Sequence, residues 1–252
     1  MARIELKNTV VRLKDGLSGT GAINEPTTAP VATDTEFDID TVVLNAGGLG
    51  TDVIPLGARF TVAGETDATQ VHVVTGRTPS DGLSATTNIV FTPALGAGTY
   101  VDGGVVTFTS NQIEIKIGDG NITYTEANEY EYDLDRGVLD TVREGDQVPI
   151  DVSIDFVYEF ITTGTSESVS MMDALKAIGG AAEWRSSSSD PCEPYSVDLE
   201  VIYTPLCTTS EIETTLFPEF RSESREIDYG EANISVSGRC NVTAPTVTRT
   251  AQ

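Results

Sequence analysis

A chain of 252 residues, 39% of them hydrophobic, is long enough for one large domain or two modest ones and has ample apolar side chain for a packed interior. Its 15 basic and 39 acidic residues give a formal net charge of −24, which excludes nucleic-acid binding through phosphate neutralisation, since that needs clustered Lys and Arg. No run approaches the roughly 20 apolar residues of a membrane-spanning helix. Cys192, Cys207 and Cys240 form no CxxC pair, so neither a disulfide framework nor a zinc site is suggested and buried free thiols are expected.

The opening MARIELKNTVVRLKDG alternates charged and apolar residues, unlike a secretion signal, so the expectation is a protein made and retained in a cytoplasm. NEPTTAPVATDT follows and reads as a linker. Next come TVVLNAGG, GARFTVAGE, TQVHVVTGRT, TNIVFTPAL and GGVVTFTS, short β segments parted by Gly, Asp or Pro turns, which suit a small barrel or sandwich with its core at about 37–110. The single histidine, His72, lies in VHVV with no Cys or Ser motif beside it, and reads as a surface or packing residue rather than a base.

Composition changes near Gln112, where charged and aromatic residues thicken. The expected division is a β-rich accessory domain at 1–112, a β-sandwich domain at 113–246 and a tail at 247–252. IEIKIGDGNITYTEANEYEYDLD is expected to start as a hairpin around Asp119-Gly120, a favoured two-residue turn. DRGVLDTVREGDQVP has no alternation and carries both charge signs. It is long for a hairpin loop, and such loops on rigid sheets are commonly functional or interface-forming.

VPIDVSIDFVYEF then alternates strictly, with Ile150, Val152, Ile154, Phe156, Tyr158 and Phe160 on one strand face and Asp151, Ser153, Asp155 and Glu159 on the other. One helix is predicted at SVSMMDALKAIGGA: Ser170 and Asp173 form a short relative of the capping box, Met172, Leu175 and Ile178 have helical spacing, and Gly179 and Gly180 supply the stop. YSVDLEVIY and EANISVSGRCNVT repeat the alternation of a half-buried strand. The fold class is therefore all-β, with antiparallel sheets and one flanking helix.

Signals for chemistry are few. With 39 acidic side chains some carboxylate pairs fall close together in any fold, and nothing nominates one pair as a glycosidase couple. DIDTVVLNAGG and GDGN contain oxygen ligands without the spacing of an EF-hand calcium loop, and the glycine turns lack the strand-to-helix context of a phosphate loop. No catalytic, cofactor or metal site is expected. The sequons at Asn121, Asn233 and Asn241 are expected to be silent without a secretory signal.

Three blocks, IEIKIGDGNITYTEANEYEYDLDRGVLDTVREGDQVPIDVSIDFVYEF, DALKAIGGAAEWRSSSSDPCEPYSVDLEVIY and ETTLFPEFRSESREIDYGEANISVSGRCNVT, together resemble the major tail tube protein of long-tailed, non-contractile bacteriophages over roughly residues 113–246. IPLGARFTVAGE and TNIVFTPAL look like an accessory β-domain of phage structural proteins. The resemblance implies a tail-tube β-sandwich with a flanking helix, assembling as hexameric rings that stack into a tube, through which double-stranded DNA passes without specific binding. It implies no enzyme activity and no cofactor. It also implies partnership with further copies of the chain and with tail terminator, tape measure and distal tail proteins, assembly in the host cytoplasm, residence in the virion tail, and no membrane.

In that family an extended loop between two long strands reaches adjacent subunits or rings. The matching stretch here carries Asp135, Arg136, Asp140, Arg143, Glu144 and Asp146 as candidate interface residues. The strand that follows it makes Asp151, Ser153, Asp155 and Glu159 the candidate lumen-facing residues, and the N-terminal β-domain is expected on the tube exterior. An acidic or neutral wall offers DNA phosphates nothing to hold. Salt limits the repulsion to about 8 Å, so only residues on the wall itself matter. The alternative is another phage structural protein, a decoration, baseplate or adhesin-like β-protein, in which acidic faces bind calcium or keep the chain soluble.

Overall fold

The computed structural model describes residues 8–25, 28–44, 54–78, 86–115, 121–136, 138–157, 160–162, 168–188, 190, 192–205, 211–231 and 233–251. Strands dominate. They fall into two compact units, one made of Met1–Leu13, Glu114–Glu159 and Ser196–Gln252, the other of Lys14–Ile113 and Phe160–Tyr195. One boundary coincides with the composition change at Gln112. Met1–Leu13 and Phe160–Tyr195, however, each lie in the opposite unit from the one a single cut at that point assigns, because neither segment packs with its sequence neighbours.

In chain order the first strand is β1 (Thr9–Lys14), and a closed six-stranded barrel follows: β2 (Gly19–Ile23), β3 (Glu36–Leu44), β4 (Arg59–Val62), β5 (His72–Thr78), β6 (Thr86–Thr92) and β7 (Val105–Thr109). The barrel order is β2-β3-β6-β5-β4-β7. Closure removes free edges, so alternation can place one row of each strand inside. That row includes Ile23, Phe37, Ile39, Phe60, Val62, Val74, Ile89, Phe91, Val106 and Phe108, all buried. Phe60 is the hub, with Phe37, Phe91 and Phe108 rings at 6.1, 5.4 and 5.9 Å. The barrel starts at Gly19 rather than near residue 37, and the stretch expected to be a linker is the β2–β3 connection within it.

The same unit holds the helix α1 (Met171–Lys176). Ser170 and Asp173 make the predicted capping box in both directions, and Met171, Met172, Ala174 and Leu175 are buried. The helix ends earlier than its apolar spacing implies. Ala177, in the left-handed region at φ 50°, is the C-cap, and Ile178 lies beyond it and is exposed. Downstream, the Glu183 carboxylate takes the Arg77 guanidinium in a two-pronged pair at 2.9 and 3.1 Å and accepts from the Leu56 backbone N–H at 2.6 Å.

The other unit is a β-sandwich. Its strands are β8 (Gln112–Ile115), β9 (Ile122–Thr125), β12 (Asp151–Val157), β15 (Val197–Tyr203), β16 (Glu211–Asp228), β17 (Asn233–Arg239) and β18 (Thr246–Ala251) together with β1. A ribbon of β10 (Asn128–Asp135) and β11 (Val138–Gln147) also belongs to it. A short pair of β13 (Phe160–Thr162) and β14 (Ser168–Ser170) precedes the helix. The long sheet runs β8-β1-β15-β16-β17-β12-β9, with β18 on β16.

Strand β16 serves two layers. Its first half pairs with β15 and β18, its second half with β17. The change comes at a bulge, where Val197 and Leu199 face Phe220 and Phe217 and so leave Pro218 and Glu219 against Asp198. Glu219 takes φ 52° there, and its N–H donates to the Asp198 carboxylate at 2.9 Å. Val152, Ile154 and Phe156 from β12 with Ile150 just before it, Ile234 and Val236 from β17 with Cys240 just after it, and Val197, Leu199, Phe217 and Phe220 fill the interior. Tyr124 from one layer meets Phe217 of the other at 5.1 Å.

Among the described residues, the two strands flanking the expected Asp119-Gly120 hairpin do not pair with each other. Strand β8 pairs with β1 and β9 with β12, at opposite ends of the sheet, and the turn itself lies outside the described residues. Of the thiols, Cys240 is buried and pushed up to about 12 by desolvation, whereas Cys192 is exposed, against the expectation of buried thiols. Cys207 lies outside the described residues. Among the described residues no helix is long and apolar enough to cross a membrane.

Candidate functional site: an exposed ribbon and a polar sheet face

The stretch read as a charged loop is strand β11, the second arm of an antiparallel ribbon. Tyr130 stands opposite Glu144, Glu131 opposite Arg143, Tyr132 opposite Val142, Asp133 opposite Thr141 and Leu134 opposite Leu139. Asp135 and Arg136 are at the turn, where Arg136 takes φ 50°. Asp140, Arg143, Glu144 and Asp146 are strand residues, not loop residues.

Directly opposed residues share a face, so the register sorts the ribbon's two sides. One side carries Tyr130, Tyr132, Leu134, Leu139 and Val142, which are 52, 59, 64, 58 and 51% exposed, with Glu144 beside Tyr130 at the end away from the turn. The other carries Glu131 and Asp133 against Arg143, whose Nε lies 3.3 Å from the Asp133 carboxylate. All of β10 is exposed. A two-stranded ribbon without a third strand or a packed face is marginal in water, and a continuous apolar row of this kind marks an interaction surface. Sequence reasoning missed this row, although Tyr-x-Tyr-x-Leu in NEYEYDLD carries its alternation.

The second feature is the outward face of the layer β16-β17-β12-β9. By register it presents Thr123 and Thr125, then Asp151, Ser153 and Asp155, then Ser235, Ser237 and Arg239, then Ser224, Glu226 and Asp228. Asp151 and Ser153 are exposed and Asp155 is half-buried; Glu159 lies outside the described residues. The Ser235 hydroxyl donates to Asp155 at 2.5 Å. Arg239 donates to Asp151 at 2.8 Å and lies 3.9 Å from Glu223, and these carboxylates hold its guanidinium above its ordinary value. Arg221 is tied to Glu219 at 3.3 Å. The face is thus hydroxyls and carboxylates, with its arginines engaged by the chain's own acids.

Two buried polar centres lie in the barrel unit. His72 is fully buried, stacked on Phe60 at 5.3 Å. Its Nδ1 faces the Pro93 carbonyl at 2.7 Å and so carries a proton, and its Nε2 meets the Glu65 carboxylate at 3.0 Å. Glu65 also accepts from the Gly96 N–H at 2.6 Å and the Tyr100 hydroxyl at 3.4 Å, and burial followed by Glu65's charge pushes the Tyr100 phenol up to about 12. His72 is thus buried among Phe60 and Phe91 rather than set at the surface.

Asp15 is the other centre. Its fully buried carboxylate accepts from the N–H groups of Leu17 at 3.1 Å, Asn111 at 2.7 Å and Arg185 at 3.2 Å, and from the Asn111 side-chain amide at 2.8 Å. Desolvation outweighs these donors and raises its pKa from 3.8 to about 6. The native state therefore holds this proton more tightly than the unfolded state. The stability it contributes is fully present below pH 3.8 and is lost as pH rises through 6, about 3 kcal/mol in all. The urea unfolding free energy of the natural chain minus that of Asp15→Asn should fall by about 2 kcal/mol from pH 4 to pH 7, most of that amount. A difference that stays flat would contradict the assignment.

Among the described residues no group of His, Cys, Asp and Glu is arranged to hold a metal ion. No family model, curated protein or solved structure matches the chain.

Proposed function

We propose that the chain is the major tail tube protein of a long-tailed, non-contractile bacteriophage. In this reading it is a structural virion protein that closes into hexameric rings, stacks them into a tube and forms the channel through which double-stranded DNA enters the host. The observation that carries the reading is the β10–β11 ribbon, bare on both sides with an apolar row along one of them. Such a ribbon gains its stability by laying that row on a partner. Within a closed ring every copy can offer the same surface to the next.

The resemblance to tail tube proteins supports it, since it would have the partner-reaching segment fall at this point of the chain. The polar sheet face supports the second half of the reading. A wall of Thr123, Thr125, Asp151, Ser153, Asp155, Ser235 and Ser237, with Arg239 already paired, gives passing phosphates no cation to condense on. Asp151, Ser153 and Asp155 are accordingly assigned to the lumen, and the barrel to a module displayed outside the tube. Tail terminator, tape measure and distal tail proteins are the further partners, and the site of action is the virion tail after assembly in the host cytoplasm. No catalytic role is assigned. Electron microscopy of the purified chain is expected to show rings or tubes, and a chain that stays monomeric under all assembly conditions would overturn the reading.

A further inference from the structure

Asp15 and Asn111 stand where separate stretches of the barrel unit meet. Asp15 follows just after Leu13, and Asn111 comes just before Ile113, the positions at which the chain passes between its two units. The two residues are joined by three hydrogen bonds, one between backbones, one from backbone to side chain and one between side chains. The Asp15 N–H donates to the Asn111 carbonyl at 3.0 Å, the Asn111 N–H donates to Asp15 Oδ1 at 2.7 Å, and Asn111 Nδ2 donates to Asp15 Oδ2 at 2.8 Å. Arg185 N–H shares Oδ2 at 3.2 Å, and the Gly16 N–H returns to the Arg185 carbonyl at 3.0 Å. A Cβ on Gly16 would lie 2.0 Å from the Ser186 carbonyl oxygen, so this close approach needs glycine.

One atom in this knot is left over. Asn111 Oδ1 is buried and has no hydrogen-bond partner. A buried amide that satisfies one end and orphans the other is balanced between its two orientations unless its neighbour decides. An ionised carboxylate only accepts and selects the NH2 end. A carboxylic acid donates and selects the oxygen.

We infer that Asp15 and Asn111 form a two-position clasp operated by a proton. With Asp15 ionised, Asn111 Nδ2 points at Oδ2; when a proton from solvent binds Oδ2, the amide turns over and Asn111 Oδ1 accepts the new O–H. The protonated acid no longer offers Oδ2 as a full acceptor, so Arg185 N–H is the contact that weakens. The segment carrying Arg185 is then held less tightly, while Leu17 and the Asn111 backbone keep Oδ1. The raised pKa of Asp15 puts the change near pH 6. Tyr195 is coupled to it as well; its phenol donates to the Ala174 carbonyl at 2.9 Å and is held protonated by burial and by the charge on Asp15.

The test is a titration of the full-length chain between pH 4.5 and 8 by NMR, following the Asp15 carboxyl carbon, the Asn111 side-chain NH2 and the amides of Leu17, Asn111 and Arg185. The Asp15 carbon, Asn111 NH2 and Arg185 amide are expected to share one midpoint near pH 6, with the Arg185 shift exceeding that of Leu17. Asp15→Asn, which offers a permanent donor, should hold Asn111 in the turned orientation and remove its pH dependence. An Asn111 NH2 signal that stays flat while Asp15 titrates would overturn the clasp, as would an Asp15 midpoint near 4.

Discussion

Replacing Tyr132 and Leu134 together with aspartate is expected to abolish ring and tube assembly while leaving the melting temperature of the single chain unchanged. Both side chains are largely exposed in the isolated chain, at 59 and 64%, and substitutions at such positions normally move stability by no more than about 0.5 kcal/mol. On a partner the same side chains become buried anchors, and truncation of an aromatic or apolar anchor at an interface costs about 2 kcal/mol or more each. The ribbon's other side supplies the control. Glu131→Gln removes a charge from the polar face and should leave assembly nearly intact. A double variant that assembles like the natural chain would show that this row is not the contact surface.

The largest effect on stability is expected at Glu65. Its carboxylate lies against His72, Gly96 and Tyr100 in the barrel interior, and Glu65→Ala leaves the His72 Nε2 without its partner and the Gly96 N–H with no acceptor. Breaking a buried pair in this way costs about 3–5 kcal/mol, because the remaining polar group stays buried without compensation. Chemical denaturation should register that loss. Combining Glu65→Leu with His72→Phe removes the pair itself and keeps the stacking on Phe60, and should recover part of the loss, the Gly96 N–H and the Pro93 carbonyl still lacking a partner. A loss below about 1 kcal/mol for Glu65→Ala would show that the barrel does not depend on the pair.

Much of the fold was legible because it is local. The alternation of Ile150, Val152, Ile154 and Phe156 against Asp151, Ser153 and Asp155 survives unchanged in β12, since a strand with one buried face fixes its own register. The helix start at Ser170 was legible for the same reason, as capping is decided by neighbours within one turn. Evenly spaced short strands and turns pointed to a small barrel or sandwich, and the structure is the barrel.

What failed is non-local. Asp119-Gly120 is a strong turn signal, yet β8 and β9 find their partners in β1 and β12, which no short-range pattern announces. The ribbon was misread because its alternation is broken by a bulge. Asp133 pairs with Thr141 and Leu134 with Leu139, which leaves Asp140 extra, so Leu139 and Val142 share a face though three residues apart. A period-two reading cannot see that. The Asp15 and Glu65 centres were equally hidden, since their donors come from segments brought together only when the barrel unit closes. At the candidate site, the acidic row of β12 was visible, but its pairing with Arg239 and Ser235 depends on β17 lying beside it.

The measurement that bears most directly on the tube reading is a reconstruction of the purified, assembled chain at side-chain resolution. The expected result is a closed ring in which the Tyr130, Tyr132 and Leu134 row is buried on a neighbouring copy, while Asp151, Ser153 and Asp155 line a central channel wide enough for duplex DNA. An assembly that leaves the β10–β11 ribbon in solvent, or that turns the Asp151 face outward, would contradict it.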